Sequence, residues 1–234
     1  MKVRKNLSII LFYCLIVCIF LAATYWGSAA TNTIAQMIPV ERSRTVIIDA
    51  GHGGMDGGAT SCTGRLESTL NLEIALRLND LMHLMGIHTE MIRTEDVSVH
   101  TQGDTIAAKK ASDLKERVRH VNETENSTLV SIHQNTFPDG KYSGAQVFYS
   151  PKGEGKQLAE ALQLAFCQTI NPGSNRQSKK ADGIYLMENI HTTGVLIECG
   201  FLSNAAEEAK LCNADYQKQL CCVIAAVVSN YLDR

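Results

Sequence analysis

The sequence predicts an α/β fold: a single domain with a largely parallel, twisted sheet and helices on both faces, preceded by an N-terminal signal or anchor helix. Two observations carry the sheet. Short β-branched apolar runs alternate with longer segments of helical periodicity, the pattern of strands and helices stacked in layers. The apolar runs are continuous rather than alternating, as strands buried on both faces are. A third observation, an uncharged apolar stretch at the N-terminus, carries the leader.

Lys2, Arg4 and Lys5 give the chain a basic start, residues 7–23 are almost wholly apolar, and Gly27, Ser28, Ala29 and Ala30 follow as small residues. Residues 1–30 therefore read as a signal peptide or an uncleaved signal-anchor. In both cases the charge precedes the apolar run, which places the remainder outside the cytoplasm. Residues 31–44 form a polar linker, and residues 45–234 form the folded domain.

Within that domain, residues 45–49 (TVIID) are a buried strand, stopped at Gly51 by a glycine-rich loop. Residues 68–85 place Leu70, Ile74, Leu78, Leu81 and Met82 at helical spacing, with Gly86 as the stop. Residues 87–92 form a strand. The segment 104–122 is helical at least from Asp113, and residues 128–132 are a second buried strand. Residues 144–149 form a third strand, 154–170 a helix, and 171–180 a polar loop. Residues 184–187 read as a short strand, 194–197 as a further buried strand, and 215–232 as an amphipathic helix.

Three of the buried strands run into a residue that binds metals or moves protons: His52, His133 and Glu198. Parallel strands deliver such residues to one edge of a sheet, where ligands bind. Glu67, just before the first helix, lies on the same side. Two imidazoles and a carboxylate suit zinc with one open position, and a further carboxylate outside the metal suits proton transfer. Spacing alone leaves open which glutamate plays which part. A lone strand-end histidine is more often structural, and no short metal motif such as H-E-x-x-H is present. The glycine-rich loop could also cradle a phosphate, but it lacks the Lys-Ser/Thr of a P-loop.

Asn135 is either a substrate or ligand-orienting contact or a turn residue. Arg93 reads as pairing with Asp96 or another carboxylate. Asp49 either accepts a hydrogen bond from a metal-bound imidazole or caps local backbone. Arg176, Lys179 and Lys180 read as a solvated loop, with the acidic part of a substrate as the alternative. With 22 basic and 24 acidic residues there is no basic footprint for nucleic acid. The six cysteines beyond the leader (Cys62, Cys167, Cys199, Cys212, Cys221 and Cys222) lack C-x-x-C spacing, so a thiolate metal site is not expected. They read as small buried hydrophobes.

Several motifs resemble, in order, those of the zinc N-acetylmuramoyl-L-alanine amidases of the amidase-3 family. They are Asp49-Ala50-Gly51-His52-Gly53-Gly54; Glu67 with Leu70-Asn71; Arg93-Thr94-Glu95-Asp96; Leu114-Lys115-Glu116-Arg117; Ser131-Ile132-His133-Gln134-Asn135; and Leu196-Ile197-Glu198-Cys199-Gly200. The resemblance spans residues 45–232. It implies that His52, Glu67 and His133 bind Zn2+, that Glu198 is the catalytic carboxylate, and that the substrate is peptidoglycan. The short form with a leader and no wall-binding repeats is most similar to the germination-specific, CwlD-like branch of endospore formers. That branch implies stem-peptide removal from muramic acid in spore cortex, an exported, wall-facing location, and for some clostridial members an activating lipoprotein partner. The competing readings are a non-catalytic wall-binding protein of the same fold, a general wall-turnover amidase, and a zinc carboxypeptidase.

Overall fold

The computed structural model describes residues 44–233, and the leader and most of the polar linker lie outside them. Six strands form one sheet in the order β2-β1-β3-β6-β4-β5. They are β1 (Thr45–Ala50), β2 (Thr89–Met91), β3 (Ser127–Asn135), β4 (Gln146–Tyr149), β5 (Lys179–Lys180) and β6 (Thr193–Phe201). The helices are α1 (Glu67–Leu84), α2 (Ile106–Glu123), α3 (Gly155–Thr169), α4 (Tyr185–Asn189), α5 (Ala205–Leu211) and α6 (Ala214–Leu232). Among the described residues no helix is long and apolar enough to cross a membrane.

Alternation along β1 explains the layers. Val46, Ile48 and Ala50 face a large core shared with Leu70, Ile74 and Leu78 of α1, Leu158 and Leu162 of α3, and Leu220 and Ile224 of α6. Ile47 faces the other way, into a smaller core with Val121 of α2 and Leu186 and Met187 of α4. Every residue of β1 is therefore buried, which is why Val46, Ile47 and Ile48 are apolar on both faces.

The sheet is less parallel than expected. β2, β1, β3 and β6 run parallel, whereas β4 pairs antiparallel with β6 and carries β5 parallel to itself. A parallel return needs a long crossover, commonly a helix. The loop 136–145 contains neither helix nor strand, so β4 starts at the edge where β3 ends.

Two short elements differ from expectation. The strand expected over residues 184–187 is the start of helix α4, and the edge strand is instead Lys179–Lys180 in the segment read as loop. Both lysines are exposed, so this strand is set by backbone pairing to β4 and has no apolar pattern to announce it. Helix α5 was not expected. Asn204 caps it, accepting hydrogen bonds from the amides of Ala206 and Glu207.

Candidate active site

The parallel strands bring their carboxyl ends to one edge. Ile132 lies opposite Ala50, and His133 lies opposite Glu198. Just beyond β1 the chain turns sharply, and His52 adopts a left-handed conformation with φ of 61°. Such a conformation is disfavoured for a residue with a side chain and persists where its surroundings over-determine it.

Two buried arginines do so here. Arg117, 2% exposed, donates to the carbonyls of Ala50 (3.0 Å) and His52 (2.7 Å) and is ion-paired with Asp49 and Asp113. Arg93 donates to the carbonyls of Ala50 (2.8 Å), Gly51 (3.0 Å), Ser68 (2.9 Å) and Glu95 (2.9 Å). Arg93 thus holds backbone and does not pair with Asp96, which instead accepts from the Gly54 amide. Asp49 likewise does not reach an imidazole. Its oxygens accept from Arg117 and from Ser131 Oγ (2.6 Å). Burial alone would push the Asp49 carboxyl up, but Arg117 and Ser131 outweigh it and hold it below the usual range.

One hydrogen-bond donor or acceptor atom from each of His52, Glu67 and His133 lies within 4.8 Å of the other two. Glu67 Oε1 is 3.3 Å from His52 Nε2 and 3.1 Å from His133 Nδ1. A tetrahedral zinc site with bonds of about 2.0–2.1 Å has ligand atoms roughly 3.3 Å apart. The donor set and its spacing therefore fit zinc. The fit depends on two glycines. A Cβ on Gly51 would lie 2.2 Å from the His133 ring, and one on Gly58 would lie 2.6 Å from Glu67 Oε2.

The supporting shell was mostly invisible in the sequence. Asp56 Oδ2 lies 2.9 Å from His52 Nδ1, leaving Nε2 toward Glu67, and Lys110 holds Asp56 at 2.7 Å. Glu67 accepts from the amides of Ala59 (2.9 Å) and Gln134 (3.1 Å) and from Asn71 Nδ2 (3.3 Å). Two of these partners carried a readable signal: Asp56 follows His52 by four residues, and Asn71 follows Glu67 by four on one helix, hence on one face. Asn135 ends β3, partly buried, with its carbonyl accepting from the Leu202 amide. Lys179 and Lys180 are exposed on β5.

Electrostatics separate the two glutamates. Burial works to raise Glu67, but hydrogen bonds from His133 and His52 overrule it and hold the carboxyl far below its ordinary range. His52 is pushed up to about 9: burial opposes this, and Glu67 and Asp56 prevail. Glu198 goes the other way. Burial, aided by the negative charge of Glu67 and opposed by His133 and His52, pushes it up to about 7. Its Oε2 is shielded from solvent and has no hydrogen-bond partner among the described residues. Two carboxyls with values driven apart are what acid–base chemistry at neutral pH requires.

Comparison with known proteins shows the family. The family described as N-acetylmuramoyl-L-alanine amidase matches residues 46–230. The germination-specific N-acetylmuramoyl-L-alanine amidase of Bacillus subtilis is 36% identical over 191 residues, covering 80% of this chain and 79% of that protein. The CwlD amidase of Clostridioides difficile, solved in complex with the GerS lipoprotein, superposes with a TM-score of 0.77 at 34% identity, over 81% of this chain and 98% of that one. A second solved N-acetylmuramoyl-L-alanine amidase, from Clostridium difficile 630, gives 0.70 at 32% identity, over 82% and 97%. With its fold, its ordered motifs and a family match over most of its length, the chain belongs to the amidase-3 family of N-acetylmuramoyl-L-alanine amidases, enzymes of peptidoglycan.

Proposed function

We propose that His52, Glu67 and His133 hold a zinc ion and that Glu198 is the catalytic carboxylate for hydrolysis of the amide between N-acetylmuramic acid and L-alanine. The observation that carries this is the meeting of two imidazoles and a carboxylate at one sheet edge, with Glu198 on the neighbouring strand. Zinc held there supplies Lewis acidity, activating water and polarising the amide carbonyl at neutral pH.

The chain's own residues account for the rest. Asp56 fixes the orientation of His52, and the amides of Ala59 and Gln134 fix Glu67. Burial pushes the Glu198 carboxyl up, the direction that suits a carboxyl transferring protons near neutral pH. It accepts a proton as water attacks the lactyl carbonyl and returns it to the alanine nitrogen as the C–N bond breaks. The products are a glycan bearing a free lactyl carboxylate and a stem peptide starting at alanine.

The biological setting follows the same relatives. Similarity to the germination-specific enzyme of Bacillus subtilis supports a role in spore cortex maturation and an exported, wall-facing location. Similarity to the CwlD amidase that was solved with a lipoprotein supports a protein partner. Incubation of the protein and its Glu198→Gln variant with purified peptidoglycan tests the reaction. Wild type should release peptides with an alanine N-terminus, and the variant should release none while retaining metal. Release of single amino acids by wild type would mark a carboxypeptidase instead.

A further inference from the structure

Glu67 sits at the base of a turn whose tip is held by a different part of the chain. Across the base, the Glu67 amide donates to the Ala59 carbonyl at 2.9 Å, and the Ala59 amide donates to Glu67 Oε2 at 2.9 Å. Thr60 and Leu66 pair above them as an antiparallel bridge. The Ser61 amide then donates to the Arg65 carbonyl at 2.8 Å, and the Gly64 amide to the Ser61 carbonyl at 3.0 Å. Apolar burial does little to fix this turn. Of residues 60–66 only Ser61 is buried, and Leu66, the large apolar side chain among them, is 40% exposed.

The tip is held by a carboxylate on α5. Glu208, 4% exposed, accepts from Ser61 Oγ at 3.0 Å and from Thr63 Oγ1. The thiols of Cys62 and Cys212 each lie 3.8 Å from one of its oxygens. Ser61 Oγ in turn accepts from the Arg65 amide at 2.9 Å, so the grip of Glu208 extends to both limbs of the turn. A buried carboxylate that gathers hydroxyl donors makes each of those bonds charge-assisted and stronger than a neutral one.

We propose that Glu208 is a positioning residue for the zinc site, clamping the tip of the 59–67 turn so that its base presents Glu67 to His52 and His133. This rests on the zinc reading of those three side chains. The path is continuous: Glu208 to Ser61 and Thr63, along the paired limbs, to the Ala59 amide on Glu67 Oε2. The other oxygen, Oε1, is the one 3.3 Å from His52 Nε2 and 3.1 Å from His133 Nδ1. A tip released from α5 loosens the Ala59 amide and with it the orientation of the whole carboxylate.

The test is a competitive chelator titration of zinc by the full chain, with urea unfolding of each variant alongside. Glu208→Ala should weaken zinc binding by about 10–100-fold, the usual worth of a contact that orients a metal ligand. Thr63→Val removes an exposed hydroxyl donor and leaves the carboxylate. It should shift zinc affinity the same way by a smaller factor, and it carries the test if Glu208→Ala fails to fold. Glu207→Ala is the control. That neighbouring carboxylate is also buried, but it accepts from the amides of Gly144 (2.7 Å) and Phe201 (3.2 Å), which lie outside the turn. Its loss should lower stability and leave zinc affinity at the wild-type value. Wild-type zinc affinity in a folded Glu208→Ala, or in Thr63→Val where that variant alone folds, overturns the proposal. So does a loss of affinity in Glu207→Ala equal to that in Glu208→Ala, since general loosening of α5 would produce it. A wild-type chain that binds no zinc overturns the zinc reading itself, a result distinct from wild type and folded variants that bind zinc equally well.

Discussion

Replacing Glu198 by Gln should abolish activity and at the same time stabilise the metal-free fold at alkaline pH. The carboxyl is pushed up to about 7 from an ordinary value of 4.5 by burial and by the charge of Glu67, and its Oε2 is sealed without a partner among the described residues. Because the folded value is raised, the folded state holds a proton that the unfolded chain releases between those two values. Stability therefore falls as pH rises through that window. The gap corresponds to roughly 3 kcal/mol once the group is ionised in both states. Glutamine is nearly isosteric and stays neutral, so it escapes this loss. Its amide donor, left unpaired, costs about 1 kcal/mol at every pH. The pH-dependent part of the difference is therefore diagnostic. Urea unfolding of both proteins in chelator at pH 4.5 and pH 8 should show the variant gaining about 3 kcal/mol on wild type between the two. An unchanged difference, or one that grows in favour of wild type, would refute the assignment of Glu198 as a carboxyl strained for function.

Other perturbations probe the frame around the site. Gly51→Ala would drive a methyl to 2.2 Å from the His133 ring, and should lower zinc occupancy by metal analysis and reduce stability by about 1–3 kcal/mol. Asp56→Asn removes the carboxylate on His52 Nδ1 and should weaken zinc affinity by about 10–100-fold in a competitive chelator titration, with the circular dichroism spectrum unchanged. Arg117→Met leaves Asp49 charged and buried without its cation and should cost about 3–5 kcal/mol in denaturant unfolding. The double change Arg117→Met with Asp49→Asn should recover part of that loss.

How much of this was readable depended on how local each signal is. β1, β3 and β6 are buried on both faces, so their apolar runs admit one interpretation, and the polar residues that end them stand out. Glu67 was readable from its place in front of a strongly periodic helix. Short elements were not readable. β5 exists only because Lys179 and Lys180 pair with Phe148 and Tyr149, and α4 spans just five residues, too few for a period to emerge. The reversal of β4 follows from a helix-free connection, which apolar patterning does not encode. Arg117 follows the charged residues Lys115 and Glu116, yet it is sealed beneath His52, because the folded chain brings Asp49 and the carbonyls of Ala50 and His52 around it. Arg93 was expected to find a carboxylate and instead braces the carbonyls that hold the His52 turn.

The central claim is that His52, Glu67 and His133 share one zinc ion. Anomalous diffraction at the zinc edge from crystals grown with the metal tests it most directly. A single strong peak within about 2.0–2.2 Å of one atom from each of the three side chains, with Glu198 outside bonding distance, is the expected map. A peak lying elsewhere, or one that includes Glu198 and leaves out any of the three, would contradict the account.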